Sequence, residues 1–184
     1  MANKHPKKLS EETIHQNPWW TYKHDTFEKP QGGTGDYYYG ETQGMVMIIP
    51  VMPDGRLVLT LQHRYLEEKQ SIEFPGGGIL EGMEPLEAAK KELQEETGWI
   101  ADDYVRLGVI QGSNGLFKDK GYIYLAYTIE QKEQNLDELE DIEVLYRRPD
   151  EVDEMVRKNE IWCGQTLAAW ALVHHHFLHK EDAL

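Results

Sequence analysis

The sequence predicts an α+β fold built on a mixed sheet, and three observations lead there. Short runs of β-branched and aromatic residues recur from residue 17 to residue 147, separated by Gly, Pro, Asn and Asp turn chemistry. One stretch with helical spacing interrupts them, and two more close the chain. Strands first, one inserted helix, further strands and terminal helices read as an α+β mixture.

The elements follow in order. Residues 1–16 are polar, without apolar anchors, and are expected to be loosely ordered. NPWWTYKHDTF and DYYYG are aromatic-rich strand candidates across the KPQGGTG turn, giving an antiparallel N-terminal unit over residues 17–42. The main domain is expected over 43–184. GMVMIIPV and RLVLTLQ are its clearest strands, and the PDG between them predicts a hairpin. SIEF is a short strand running into a PGGG loop. Pro85 suits a first helical turn and Gly98 a C-terminal cap. Between them Leu86, Ala89 and Leu93 form a narrow apolar stripe. VRLGVIQ and GYIYLAYTIE follow as strands around an exposed GSNGLFKDK loop. After the acidic NLDELED come the strand IEVLYR and two helices, PDEVDEMVRKN and GQTLAAWALVHHHFLH.

Bulk properties bound the function. A chain of 184 residues with 40% apolar content is most simply one domain with a packed core. A net charge of −14 argues against a nucleic-acid partner, since phosphate backbones are held by Lys and Arg. It leaves room for a phosphorylated small molecule, because bound cations reverse the sign of a local site. The single cysteine, Cys163, permits no intrachain disulfide and fits a reducing compartment. No apolar run follows the basic residues of MANKHPKKLSEET, and none approaches the ~18 residues of a membrane span. A cytoplasmic, soluble protein without membrane attachment is expected.

The chemistry concentrates in EFPGGGILEGMEPLEAAKKELQEETGW. Residues turn by about 100° along a helix, so Glu92 and Glu96 stack one turn apart with Glu95 beside them. Like charges at this spacing weaken a helix by a few tenths of a kcal/mol per pair. Cations in the site would explain that cost, and Mg²⁺ and Mn²⁺ prefer oxygen ligands. KKELQEE taken alone reads as an ordinary solvated helix. The preceding strand, the PGGG loop and the Pro and Gly stops tilt the reading toward a metal clamp.

This stretch resembles the Nudix box: G, five residues, E, seven residues, then R-E-U-x-E-E-x-G-U, with U apolar. Gly77 matches the first glycine, and Lys91 to Trp99 fills the second half without a gap. Met83 stands where the first glutamate belongs and Lys91 where the arginine belongs. In the family those two residues help hold loop and helix in register; lysine lacks the planar fork for a bidentate contact. The resemblance implies a Nudix-type α/β/α sandwich around a mixed sheet. It also implies metal ligation by Glu92, Glu95, Glu96 and the Gly76 carbonyl, with Mg²⁺ or Mn²⁺ as cofactor.

Arg56 to Ile79 and Ser113 to Ala126 resemble the ADP-ribose pyrophosphatase branch of the family. The branch implies a nucleotide-sugar substrate, Arg64 on the diphosphate, and a homodimer that exchanges N-terminal strands. A surface ion pair of Arg64 with Glu67 or Glu68 is the plainer alternative. Asp119 falls at the acidic position that can serve as general base; the alternatives are a box glutamate such as Glu95 or Glu96, or a charged loop tip with no catalytic part. Asn114 replaces the proline of the S-P-G found in many relatives. Cys163-Gly164-Gln165-Thr166 replaces their D-x-K-T.

The implied reaction is metal-dependent hydrolysis of ADP-ribose, or a related nucleoside diphosphate sugar, giving for ADP-ribose AMP and ribose 5-phosphate. A non-catalytic nucleotide-sugar sensor is the alternative, with Met83 and Lys91 as marks of decay. A purely structural role explains neither the PGGG loop nor the box spacing. Trp19, Trp20 and Tyr37 to Tyr39 are candidates for core, dimer surface or base stacking. Cys163 is expected to pack rather than react. The run His174 to His176 with His179 offers an i, i+4 pair but no partner acids, and packing or exposure is the expected role.

Overall fold

A computed structural model describes residues 5–178. Ten strands and three helices follow in the order β1 (Lys7–Gln16), β2 (Thr21–Glu28), β3 (Thr34–Glu41), β4 (Met45–Val51), β5 (Leu57–Arg64), β6 (Lys69–Glu73), α1 (Pro85–Thr97), β7 (Trp99–Ile110), β8 (Phe117–Lys118), β9 (Gly121–Gln131), β10 (Ile142–Arg147), α2 (Pro149–Arg157) and α3 (Gly164–Leu178).

The main sheet runs β10-β5-β4-β9-β7, with β6 continuing along β5 where β4 leaves it. β4 and β9 pair in parallel at its centre from Met45↔Gly121 to Val51↔Tyr127, and β7 pairs antiparallel with β9. β4 is apolar throughout because both of its faces are covered. Val46 and Ile48 turn toward Ala88, Ala89 and Leu93 of α1. Met47, Ile49 and Val51 turn toward Val152 and Met155 of α2 and Ala169, Trp170 and Val173 of α3. This alternation is the period-two pleat of a strand, and it gives the predicted helix–sheet–helix sandwich.

The expected hairpin is present, although its strands share only the Val51↔Leu57 pair before parting. α1 starts at Pro85 and ends where Gly98 turns left-handed at φ 73°, its N–H donating to the Gln94 carbonyl. A side chain at Gly98 would collide with the Lys132 carbonyl, so this stop admits only glycine.

Two expectations are corrected. Residues 7–16, read as part of a loosely ordered terminus, form β1, which pairs with β2 along its whole length from Lys7↔Glu28 to Gln16↔Thr21. All ten residues are exposed, so backbone bonding and cross-strand ion pairs hold the strand in place of apolar burial. Lys8 meets Asp25 and Lys23 meets Glu11, each at 2.7 Å. The GSNGLFKDK segment, read as a plain loop, carries β8. It pairs in parallel with β3 at Gly40↔Phe117 and Glu41↔Lys118, completing a second sheet, β1-β2-β3-β8.

Candidate active site

The Pro75–Gly78 loop lies along β4. Its carbonyls at Pro75 and Gly77 accept from the Ile48 and Val46 amides at 2.9 Å each. The intervening Gly76 carbonyl takes no such bond among the described residues, and the alternation of an extended chain turns it away from β4. A side chain at Gly76 would collide with the Val46 carbonyl. At Gly77, a Cβ would lie 2.6 Å from Glu92 Oε2. The glycines therefore serve close approach, on one side to β4 and on the other to a box glutamate.

Against this loop α1 sets two of its acids. Glu96 is only 4% exposed, and its Oε2 accepts from the Gly76 N–H at 2.9 Å. Burial pushes its carboxyl up to about 8; that one N–H opposes the shift, and the nearby Glu92 adds to it. Burial likewise pushes Glu92 up to about 7. Lys91 works against the rise, with Glu95, Glu140 and Asp137 reinforcing it. Glu95 pairs with Lys91 one turn earlier on the helix.

Among the described residues, no three His, Cys, Asp or Glu side chains converge as a ready-made metal cage. The donors nevertheless fit a divalent cation. Buried Glu96 and half-buried Glu92 lie against a glycine loop, beside a backbone carbonyl that β4 leaves free. Hard cations take that oxygen set.

A cleft of about 720 Å³ opens beside the loop, lined by Gly76 to Gly78, Arg64, Glu73, the Tyr65–Glu67 turn, Met45, Met47 and Trp162 to Gln165. Arg64 does not pair with Glu67 or Glu68. Its Nε and Nη2 donate to the two oxygens of Glu73 at 2.7 and 2.6 Å. The fork holds the buried Glu73 carboxyl below its ordinary range against the burial that would raise it. Sequence reading missed Glu73 because register, not spacing, brings it there: β5 and β6 pair antiparallel from Thr60↔Glu73 to Arg64↔Lys69.

The remaining candidates scatter. Asp119 does not line the cleft; its loop enters the same end of the sheet through Lys120, whose carbonyl accepts from Met45 N–H at 2.8 Å, while Met45 bridges Gly78. Asp137 and Glu140, read only as an acidic loop, come close enough to act on Glu92. Gln134 and Asn135 pin that loop to the Glu96 and Glu95 carbonyls at 2.6 and 3.0 Å.

The two box departures have physical counterparts. Met83 packs against the apolar cluster under α1, and Lys91 is occupied by Glu95. Cys163 is buried in the cleft wall with its Sγ 3.3 Å from Gln165 Oε1. Trp19 is 79% exposed, and neither it, Trp20 nor Tyr37 to Tyr39 lines this cleft. His174 bonds back to the Trp170 carbonyl, while His179 lies outside the described residues.

A helix–sheet–helix sandwich flanked by a second sheet is a fold with solved representatives. One, "Crystal structure of ADP compounds hydrolase", superimposes with a TM-score of 0.82, covering 96% of each chain at 23% identity, a likeness that establishes the fold. A NUDIX domain model matches residues 42–174, so the chain belongs to the Nudix hydrolase family. A nucleoside diphosphate sugar hydrolase N-terminal domain matches residues 6–39, the span of the β1–β3 meander. The chain is 26% identical to an ADP-ribose pyrophosphatase of Bacillus subtilis over 97% of both chains. It is 28% identical to a methanol dehydrogenase activator of Bacillus methanolicus over 79% of this chain and 80% of that one.

Proposed function

We propose that the chain hydrolyses the diphosphate bond of a nucleoside diphosphate sugar, with ADP-ribose the foremost substrate and AMP and ribose 5-phosphate the products. The observation that carries this reading is the pair of acids, half-buried Glu92 and buried Glu96, packed on the Gly76–Gly77 loop beside a cleft that holds Arg64. The family membership and the pyrophosphatase relatives support it.

Glu92, Glu96 and the Gly76 carbonyl, joined by Glu95 on releasing Lys91, would hold Mg²⁺ or Mn²⁺. A bound divalent ion supplies positive charge to the diphosphate and acidity to a water. The protein's part is mainly positioning and electrostatics. Arg64 faces the diphosphate with its fork steadied by Glu73, and Asp119 takes the proton from the attacking water. A homodimer in the cytoplasm fits this reading, with no nucleic acid or membrane partner. The long exposed β1 and the exposed Trp19 are the surface a second copy would cover. No helix among the described residues is long and apolar enough to cross a membrane.

The test is release of mononucleotide from ADP-ribose, ADP-glucose, GDP-mannose and UDP-glucose, with and without Mg²⁺ or Mn²⁺. Metal-dependent cleavage, fastest on ADP-ribose, is the expected result. Binding by thermal shift without turnover on any of them would overturn it and make the chain a nucleotide-sugar sensor.

A further inference from the structure

Gln111 follows the last residue of β7, and its side chain closes the loop that carries Asp119. Its Nε2 donates to the Phe117 carbonyl at 2.8 Å and to Asp119 Oδ1 at 2.6 Å. One amide nitrogen thus ties the backbone of β8 to the carboxylate two residues further on. The donor is neutral, so it orients the carboxylate without neutralising it as a lysine or arginine would. No protein donor reaches Oδ2 among the described residues, which leaves that oxygen for a water.

The clasp is anchored from the other side by the N-terminal sheet. The Gly40 N–H donates to the Leu116 carbonyl at 3.0 Å, and the Thr42 N–H to that of Lys118 at 3.3 Å. Tyr37 Oη donates to the Gly115 carbonyl at 2.8 Å, and Lys118 pairs with Glu41. Phe117 lies across Gly40, where any side chain would strike its ring. The loop is therefore held by three contacts from β3 and one from Thr42 just beyond it before Asp119 is reached, and at Met45 just after it.

We propose that Gln111 is a positioning residue for the reaction, setting the Asp119 carboxylate in a loop whose frame is the N-terminal sheet. The inference rests on Asp119 acting as the base. It gives the β1–β3 meander a part in turnover within its own chain. Positioned proton transfer contributes roughly a hundredfold or more to rate. A base left free to swing loses much of that while substrate binding is spared.

The experiment measures kcat and KM on ADP-ribose with saturating Mg²⁺ for Gln111→Ala, Asp119→Asn, their double variant and Tyr37→Phe. Gln111→Ala is expected to lower kcat about tenfold or more with KM within about twofold. The double variant should be no slower than Asp119→Asn alone, because both changes remove one function. Tyr37→Phe should raise hydrogen exchange over residues 112–120 and lower kcat less. If Asp119→Asn is slow but Gln111→Ala turns over normally, or if the two losses multiply, the positioning role is refuted while the base stands. Normal turnover by Asp119→Asn refutes the base assignment and the positioning role with it.

Discussion

Arg64 and Glu73 illustrate how much a single side chain is asked to do. Glu73 is 3% exposed, and its charge depends on the guanidinium fork. Removing one partner of a fully buried pair costs about 3–5 kcal/mol. Arg64 is open to water along 44% of its side chain, so Arg64→Ala should cost only about 1–2 kcal/mol after screening. The folded Glu73 carboxyl sits below its unfolded value, so the pair's stabilisation is present above the ordinary carboxylate range and lost as pH falls through the folded value. The gap in Tm between wild type and Arg64→Ala should therefore narrow on acidification, and a gap that widens would contradict the pairing. Glu96→Gln should abolish metal-dependent turnover while circular dichroism stays native, since the amide fills the same space; near-normal activity would refute Glu96 as a ligand. Among these residues the clustering of the box glutamates on one edge of α1 was legible from helical spacing, while their proposed part in metal binding came from the surrounding loop and the resemblance. Glu73 and Gln111 were not legible, because each acquires its partner from strand register or a folded loop.

Helix α1 was readable from end to end because its signals are local. Pro85, the Ala89/Leu93 stripe and Gly98 each act within a turn or two. The same stop that ends the helix fixes where its acids point. Gly98 is left-handed and lies against the Lys132 carbonyl. Gly98→Ala should therefore cost more than the ~1 kcal/mol of an ordinary glycine replacement, and it should weaken Mg²⁺ binding by displacing Glu96 two residues earlier. Denaturant unfolding and metal titration check the two halves; an unchanged midpoint would show that the stop is not strained by a Cβ. Strand β1 was illegible for the opposite reason. It buries nothing, and its partners belong to β2: the ladder, the carboxylate of Asp25 and the ammonium of Lys23. The two-residue β8 had no pattern of its own to read.

At the scale of the molecule, the α+β class followed from the order of strand and helix signals and the sandwich from the resemblance to the Nudix box; the apolar run of β4, covered on both faces, is its physical counterpart. The second sheet did not follow from sequence, since its fourth strand comes from between β7 and β9. That origin has a consequence for how the molecule assembles. β1, β2 and β3 are consecutive and joined by short turns, so their contacts close over short loops. The pairs Gly40↔Phe117 and Met45↔Gly121 each join residues more than seventy positions apart, and closing such long loops is slow. The meander and the central β4–β9 pair should thus form on different clocks, with the Asp119 loop completed only at the later one. Pulsed hydrogen exchange during refolding should find the β1–β2 amides protected first, and those of Gly40 and Thr42 protected together with β9. Protection of Gly40 ahead of β9 would reverse that order. Folding intermediates would then carry an N-terminal sheet already built and the Asp119 edge still open, so on the proposed mechanism a newly made chain becomes active only when its last long-range strand arrives.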